Sequence, residues 1–148
     1  MAPRRKARIA SLAMLPLLLG CVATPDAPPP LNPLEAKIVD ALATLGIHGQ
    51  RAEYSFRGAI IWATLEGGSE LFVSAQPPGV EDGDFVVVAE RPVQGIVVQR
   101  VEYPAGQVRD RFACADATYQ VETAVPPGAG DPDALLSRVI AALDCGKP

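Results

Sequence analysis

The side chains of this 148-residue chain that could do chemistry are few and scattered. His48, the single histidine, stands in Gly46-Ile47-His48-Gly49. A histidine base needs a nucleophile held against it and a third group to orient it. Ser55, Ser69 and Ser74 lie in strand or turn settings and none sits in a Gly-x-Ser-x-Gly elbow, so His48 is expected to be a solvated loop residue. Glu81, Asp82 and Asp84 place three carboxylates within four residues. They lack the Asp-x-Asp-x-Asp-Gly spacing and the distant bidentate Glu of a calcium loop, so a charged hairpin turn is expected there. A carboxylate pair for glycoside hydrolysis stays open, because 17 acidic residues always supply some pair. Trp62, the sole tryptophan, reads as core on an apolar hairpin face rather than as a ligand platform. Tyr54, Phe56, Tyr103 and Tyr119 either line a groove together or belong to an ordinary sheet surface. With no phosphate-binding glycine loop, Cys/His cluster or cofactor motif in the sequence, no catalytic, cofactor-binding or metal residue is assigned. The chain is expected to be non-enzymatic.

These residues must be positioned by a small set of elements. Asn32-Pro33-Leu34-Glu35 has the form of a helix start, with Asn32 as N-cap, Pro33 at the first position and Glu35 at the capping-box site. Leu34, Ile38, Ala41, Leu42 and Leu45 then share one face before Gly46. Segments 59–65 and 70–75 flank Gly67-Gly68 and predict a two-residue hairpin in which Glu66 pairs with Ser69. That register puts Ile60, Trp62, Leu71 and Val73 on the core face. Further strands are expected at 85–90, 96–103, 108–114 and 118–124, with a bend or sheet edge near Pro92 and Gly95. Asp131-Pro132 repeats the cap-then-proline start, and Leu136, Val139, Ile140 and Leu143 form a second apolar stripe. The order predicts an α+β fold, a mainly antiparallel sheet of about six strands with the N- and C-terminal helices packed on one face.

The N-terminus has its own logic. Arg4-Arg5-Lys6-Ala7-Arg8 precedes a twelve-residue apolar run from Ile9 to Gly20, the order of a secretory signal. As a helix that run would cover roughly 18 Å, short of the ~30 Å hydrocarbon core, so a permanent span is not expected. The Arg4-Arg5 pair lacks the flanking residues of twin-arginine export. Leu18-Leu19-Gly20-Cys21 resembles the lipobox of bacterial lipoproteins, although Leu19 is larger than the small residue often found there. The resemblance covers residues 1–21 and implies cleavage after Gly20 and lipidation of Cys21. Two or three acyl chains, at about 0.8 kcal/mol per CH₂, anchor a protein stably where one does not. Val22 in place of Asp implies an outer-membrane address if the host has one. The expected organisation is therefore a signal peptide at 1–20, a lipidated Cys21 with a proline-rich linker at 21–31, and one globular domain at 32–148. Pro25, Pro28, Pro29 and Pro30 favour an extended spacer of about 3.1 Å per residue.

Charge narrows the partners. The 13 basic residues fall to nine when Arg4, Arg5, Lys6 and Arg8 are removed, against 17 acidic ones, so the mature chain carries about −8. That sign disfavours nucleic acid and anionic head groups as partners. If Cys21 is lipidated, Cys114 and Cys145 remain as an even pair in an oxidising compartment, where a disulfide is the natural expectation. The competing reading, a thiol nucleophile or metal ligand, has only one histidine and no Cys-x-x-Cys to support it.

The sequence thus describes a lipid-anchored, extracytoplasmic protein of the cell envelope, expected to dock a partner protein or serve as an accessory subunit of an envelope complex. Three alternatives stay open. One is a small-ligand carrier with a cavity between helices and sheet, under Trp62. Another is a hydrolase using His48 or a carboxylate pair. The last is an inhibitor of a secreted hydrolase, presenting the loop at 79–84 or 126–130.

Overall fold

The structure is a computed structural model that describes residues 27–55, 57–80, 83–124 and 130–145. It opens on helix α1, Pro33–Thr44, started by the capping box expected from sequence. The Asn32 side chain accepts from the Glu35 N–H at 2.9 Å, and the Glu35 carboxylate accepts from the Asn32 N–H at 2.8 Å. Seven strands follow: β1 Gln50–Arg51, β2 Ala59–Thr64, β3 Glu70–Gln76, β4 Val86–Val93, β5 Ile96–Glu102, β6 Val108–Ala113 and β7 Thr118–Ala124. Helix α2, Pro132–Ala142, is capped by the Asp131 side chain, which accepts from the Asp133 N–H. The fold is α+β, and every pairing in the sheet is antiparallel in the order β1-β2-β3-β7-β6-β5-β4. The seventh strand is β1, too short at two residues to leave a periodic trace in the sequence.

Core formation follows from strand alternation. Ile61, Leu71, Val73, Phe112, Tyr119 and Val121 point to one face, where Ile38 and Leu42 of α1 and Leu136, Val139 and Ile140 of α2 join them in a single buried cluster. Tyr119 stacks on Phe112 with ring centroids 5.6 Å apart. Its hydroxyl donates to Asp116 at 3.0 Å, and Lys37 of α1 reaches the same carboxylate oxygen at 2.6 Å. Burial pushes the Tyr119 phenol above its ordinary range, and the trio ties α1 to the β6–β7 turn.

The β2–β3 connection departs from the expected two-residue turn. Residues 65–69 form the connection, closed by the Leu65 N–H donating to the Ser69 carbonyl at 2.7 Å around a 3-10 turn at Glu66–Gly68. Gly67 and Gly68 adopt φ of 81° and 82°, the left-handed region that suits glycine. The longer loop moves the register by one residue. Thr64 pairs with Glu70, Ala63 with Leu71, Trp62 with Phe72 and Ile61 with Val73. A one-residue slip exchanges the faces of a strand. Ala59, Ile61 and Ala63 therefore enter the core, and Ile60 and Trp62 lie half-buried on the opposite face.

At the other side of the sheet, β4 is the edge strand. It carries Pro92 and a bulge between Val87 and Ala89, both of which blunt an edge against further pairing. The turn to β5 is two residues, Gln94 and Gly95, with φ of 50° and 78°.

Candidate binding groove

The face opposite the core cluster holds a half-open groove of about 640 Å³, inside the 300–1,000 Å³ range of small-molecule sites. Its floor is the set of residues that alternate outward: Ile60 of β2, Phe72 and Ser74 of β3, and Gln120 and Glu122 of β7. Antiparallel pairing places Ser74 beside Gln120 and Phe72 beside Glu122. Pro77 and Val80, in the connection to β4, form one wall. Tyr103 and Arg109, flanking the β5–β6 turn, form the other. Ser55, Arg57 and Gly58 close one end.

The second wall is braced both from the floor and from behind. The Arg109 guanidinium lies 5.2 Å from the Tyr103 ring centroid, donates to Glu122 at 3.1 Å and to Gln120 at 3.2 Å, and so has its charge matched by a carboxylate. Tyr103 meets Phe85 edge-on at 5.9 Å, and Arg111 lies over the Phe85 ring at 5.2 Å. Gln120, 6% exposed, is held in place by its bond from Arg109. Two lining groups are left over: Gln76 Oε1 and the Tyr103 hydroxyl are buried and make no hydrogen bond among the described residues. A buried polar atom without a partner costs about 1–3 kcal/mol, so two in one groove need a reason.

A second arrangement governs how the chain enters the domain. Arg51 of β1 grips Glu35 with two bonds, Nε at 2.7 Å and Nη2 at 2.6 Å. Its remaining donors reach backward, Nη1 to the Pro29 carbonyl at 2.8 Å and Nη2 to the Pro30 carbonyl at 2.9 Å. Glu35 is fully buried. The hydrogen bonds from Arg51 hold its carboxyl below the usual range, against the opposing effect of burial and with help from the Asn32 N–H. Asn32 also donates from its side chain to the Gly58 carbonyl at 2.8 Å. Since Gly58 lines the groove, the entering chain and one groove end share a residue.

The residues singled out from sequence separate in space. Cys114 and Cys145 are joined in a disulfide, Cα atoms 5.0 Å apart, linking the end of β6 to the end of α2. Such a bond is compatible with an extracytoplasmic location. Cys21 and the whole lipobox lie outside the described residues, as do Phe56, Glu81, Asp82 and most of the loop at 126–130. Among the described residues no helix is long and apolar enough to cross a membrane, and no group of three His, Cys, Asp or Glu is placed to hold a metal. His48 and Asp84 are exposed.

Among the described members of the aromatic set, Tyr103 alone lines the groove; Tyr54 is 60% exposed and Tyr119 is core. The cavity is also not where a carrier was expected. It lies on the outer face rather than between helices and sheet. Sequence reasoning missed Ile60, Phe72, Ser74, Gln76, Gln120 and Arg109: Ile60 reaches that face only in the corrected register, whereas Phe72 and Ser74 already alternate with the core-facing Leu71 and Val73 and are joined to the others only by the sheet order. Chemically, the groove offers amides, hydroxyls, the Arg109–Glu122 ion pair, a second guanidinium at Arg57 and a partly apolar floor, which suits it to hold a ligand. No protein-family model matches the chain, and no curated protein or solved structure matches it either.

Proposed function

We propose that this protein is a lipid-anchored, non-enzymatic binding protein of the cell envelope, attached through Cys21 and receiving its ligand on the outer face of the sheet. The groove carries the reading. Both helices stack over the core face, which leaves the outer face as the surface where a volume of about 640 Å³ opens among convergent polar groups. The Arg51 contacts with Pro29 and Pro30 support the tethered form, because they fix the direction in which a linker at 21–31 would leave the domain. Residues 22–28, if extended, would then hold the domain roughly 20 Å from the bilayer. A tether of that length raises the effective concentration of the groove for ligands at the membrane surface.

A second reading, docking of an envelope protein, is favoured by a separate observation: Val86, Val87 and Val88 on the edge strand β4 are all exposed.

The test is detergent phase partitioning of wild type and Cys21→Ser, followed by capture from solubilised membranes with wild type and Ser74→Tyr, which fills the groove floor. The expected result is detergent-phase wild type, aqueous Cys21→Ser, and loss of the captured ligand in Ser74→Tyr. Wild type in the aqueous phase would overturn the anchor. Capture of a protein that survives Ser74→Tyr and is lost on Val87→Lys would move the function to β4.

A further inference from the structure

We infer that the groove is a saccharide site, taking an uncharged oligosaccharide whose hydroxyl or N-acetyl groups satisfy Gln76 and Tyr103. The inference deepens the binding reading above and rests on it, but it does not depend on the lipid.

Three features select the ligand class. The groove runs across β2, β3, β7 and β6, whose backbone groups are engaged by neighbours on the ladder. An extended peptide reads a sheet through a free edge, so recognition on this floor falls to side chains. The uncharged polar ones among them are amides and hydroxyls, including Ser74, Gln76, Gln120 and Tyr103. An acyl chain laid over them would strip water from every one and give no hydrogen bond in return. Finally, neither cation of the groove is free: Arg109 sits on Glu122 at 3.1 Å and Arg57 at the groove end is also engaged, so an anion gains little there and a neutral ligand is favoured.

What remains is a molecule dense in donors and acceptors that also has an apolar face. Gln76 Oε1 is an acceptor, and the Tyr103 hydroxyl both donates and accepts. A sugar hydroxyl or amide N–H supplies the first and a neighbouring oxygen the second. The C–H face of a pyranose ring covers Phe72 and Ile60, the apolar part of the floor.

Trp62 reports on occupancy without any label. It is the sole tryptophan and pairs with Phe72 on the same face, where directly opposed side chains are about 5 Å apart. The experiment titrates the full chain, in a zwitterionic detergent, with the tetramers of N-acetylglucosamine and of glucose while following Trp62 emission. Decanoate and tetra-alanine serve as the acyl and peptide arms.

At least one saccharide should shift the emission saturably. Gln76→Ala and Tyr103→Phe, checked as folded by circular dichroism, should each weaken that binding about fivefold to tenfold. The absence of a saturable response to both saccharides, or unchanged affinity in both folded variants, would overturn the saccharide assignment. So would saturable binding of decanoate or tetra-alanine alone, although it would leave the groove as a binding site. Failure of Ser74→Tyr to alter capture from membranes is the separate result that would remove the groove from the function.

Discussion

Arg51 and Glu35 form a two-bond ion pair, 2.7 and 2.6 Å, in which the carboxylate is fully buried and the guanidinium spends its outer donors on Pro29 and Pro30. One side chain thereby couples the start of α1, the short edge strand β1 and the incoming chain. The fork geometry matters, because a lysine at position 51 has a point charge and cannot span three acceptors.

Arg51→Lys is therefore expected to leave the core folded while freeing the incoming chain. Limited proteolysis should cut near residues 27–31 several-fold faster in the variant, with far-ultraviolet circular dichroism unchanged. Equal cutting rates would show that the carbonyl contacts do not restrain the chain.

Glu35→Ala leaves the Asn32 cap in place but removes the return half of the capping box and both charged hydrogen bonds from Arg51. A lost charged hydrogen bond costs about 1.5–3 kcal/mol. Denaturant unfolding should show a loss of about 2–4 kcal/mol, and a loss below 1 kcal/mol would contradict the buried pair.

The same carboxyl gives a pH dependence with a definite sign. Its folded pKa lies below the unfolded one, chiefly through the Arg51 hydrogen bonds, so the stabilisation is complete above the unfolded value of about 4.3 and is lost as pH falls through the folded value. Wild type should lose stability in acid below about pH 4.3 more steeply than Glu35→Gln, which lacks the titrating group. Parallel curves for the two proteins would rule this out.

Reducing Cys114–Cys145 opens a loop with a sequence separation of 31. In the chain-entropy model that loop contributes about 3.7 kcal/mol. Paired Cys114→Ser and Cys145→Ser substitutions should lower the denaturation midpoint to match that of wild type in reductant. A variant midpoint equal to that of oxidised wild type would sink the estimate.

How much of this was written in the sequence depends on range. Both helix starts, at Asn32 and Asp131, rest on caps within three residues of each other, and local chemistry of that kind is legible. The disulfide was legible by counting thiols. The β2–β3 register was not, because Ile60, Ile61 and Trp62 are all apolar, so either face could have been the buried one. Strand β1 is too short to carry a pattern. The groove was hidden for a different reason: its polar side chains, from Ser74 to Gln120, belong to strands whose adjacency is decided by the whole sheet order.

The corrected register is open to measurement. Ile61, fully buried, should cost about 2–5 kcal/mol as Ile61→Ala, whereas the half-buried Ile60→Ala should cost clearly less. The reverse ranking would restore the two-residue hairpin.

The pairing of β3 with β7 joins Leu71 to Thr123 and Val73 to Val121 across about fifty residues of chain. Every other pairing in the sheet is between strands adjacent in sequence. Two meanders can therefore assemble quickly and separately, and a single distant seam must zip before either is locked. That seam is expected to set the pace of refolding, so Val121→Ala should slow refolding more than it hastens unfolding. Stopped-flow chevrons showing the opposite partition would place the bottleneck elsewhere.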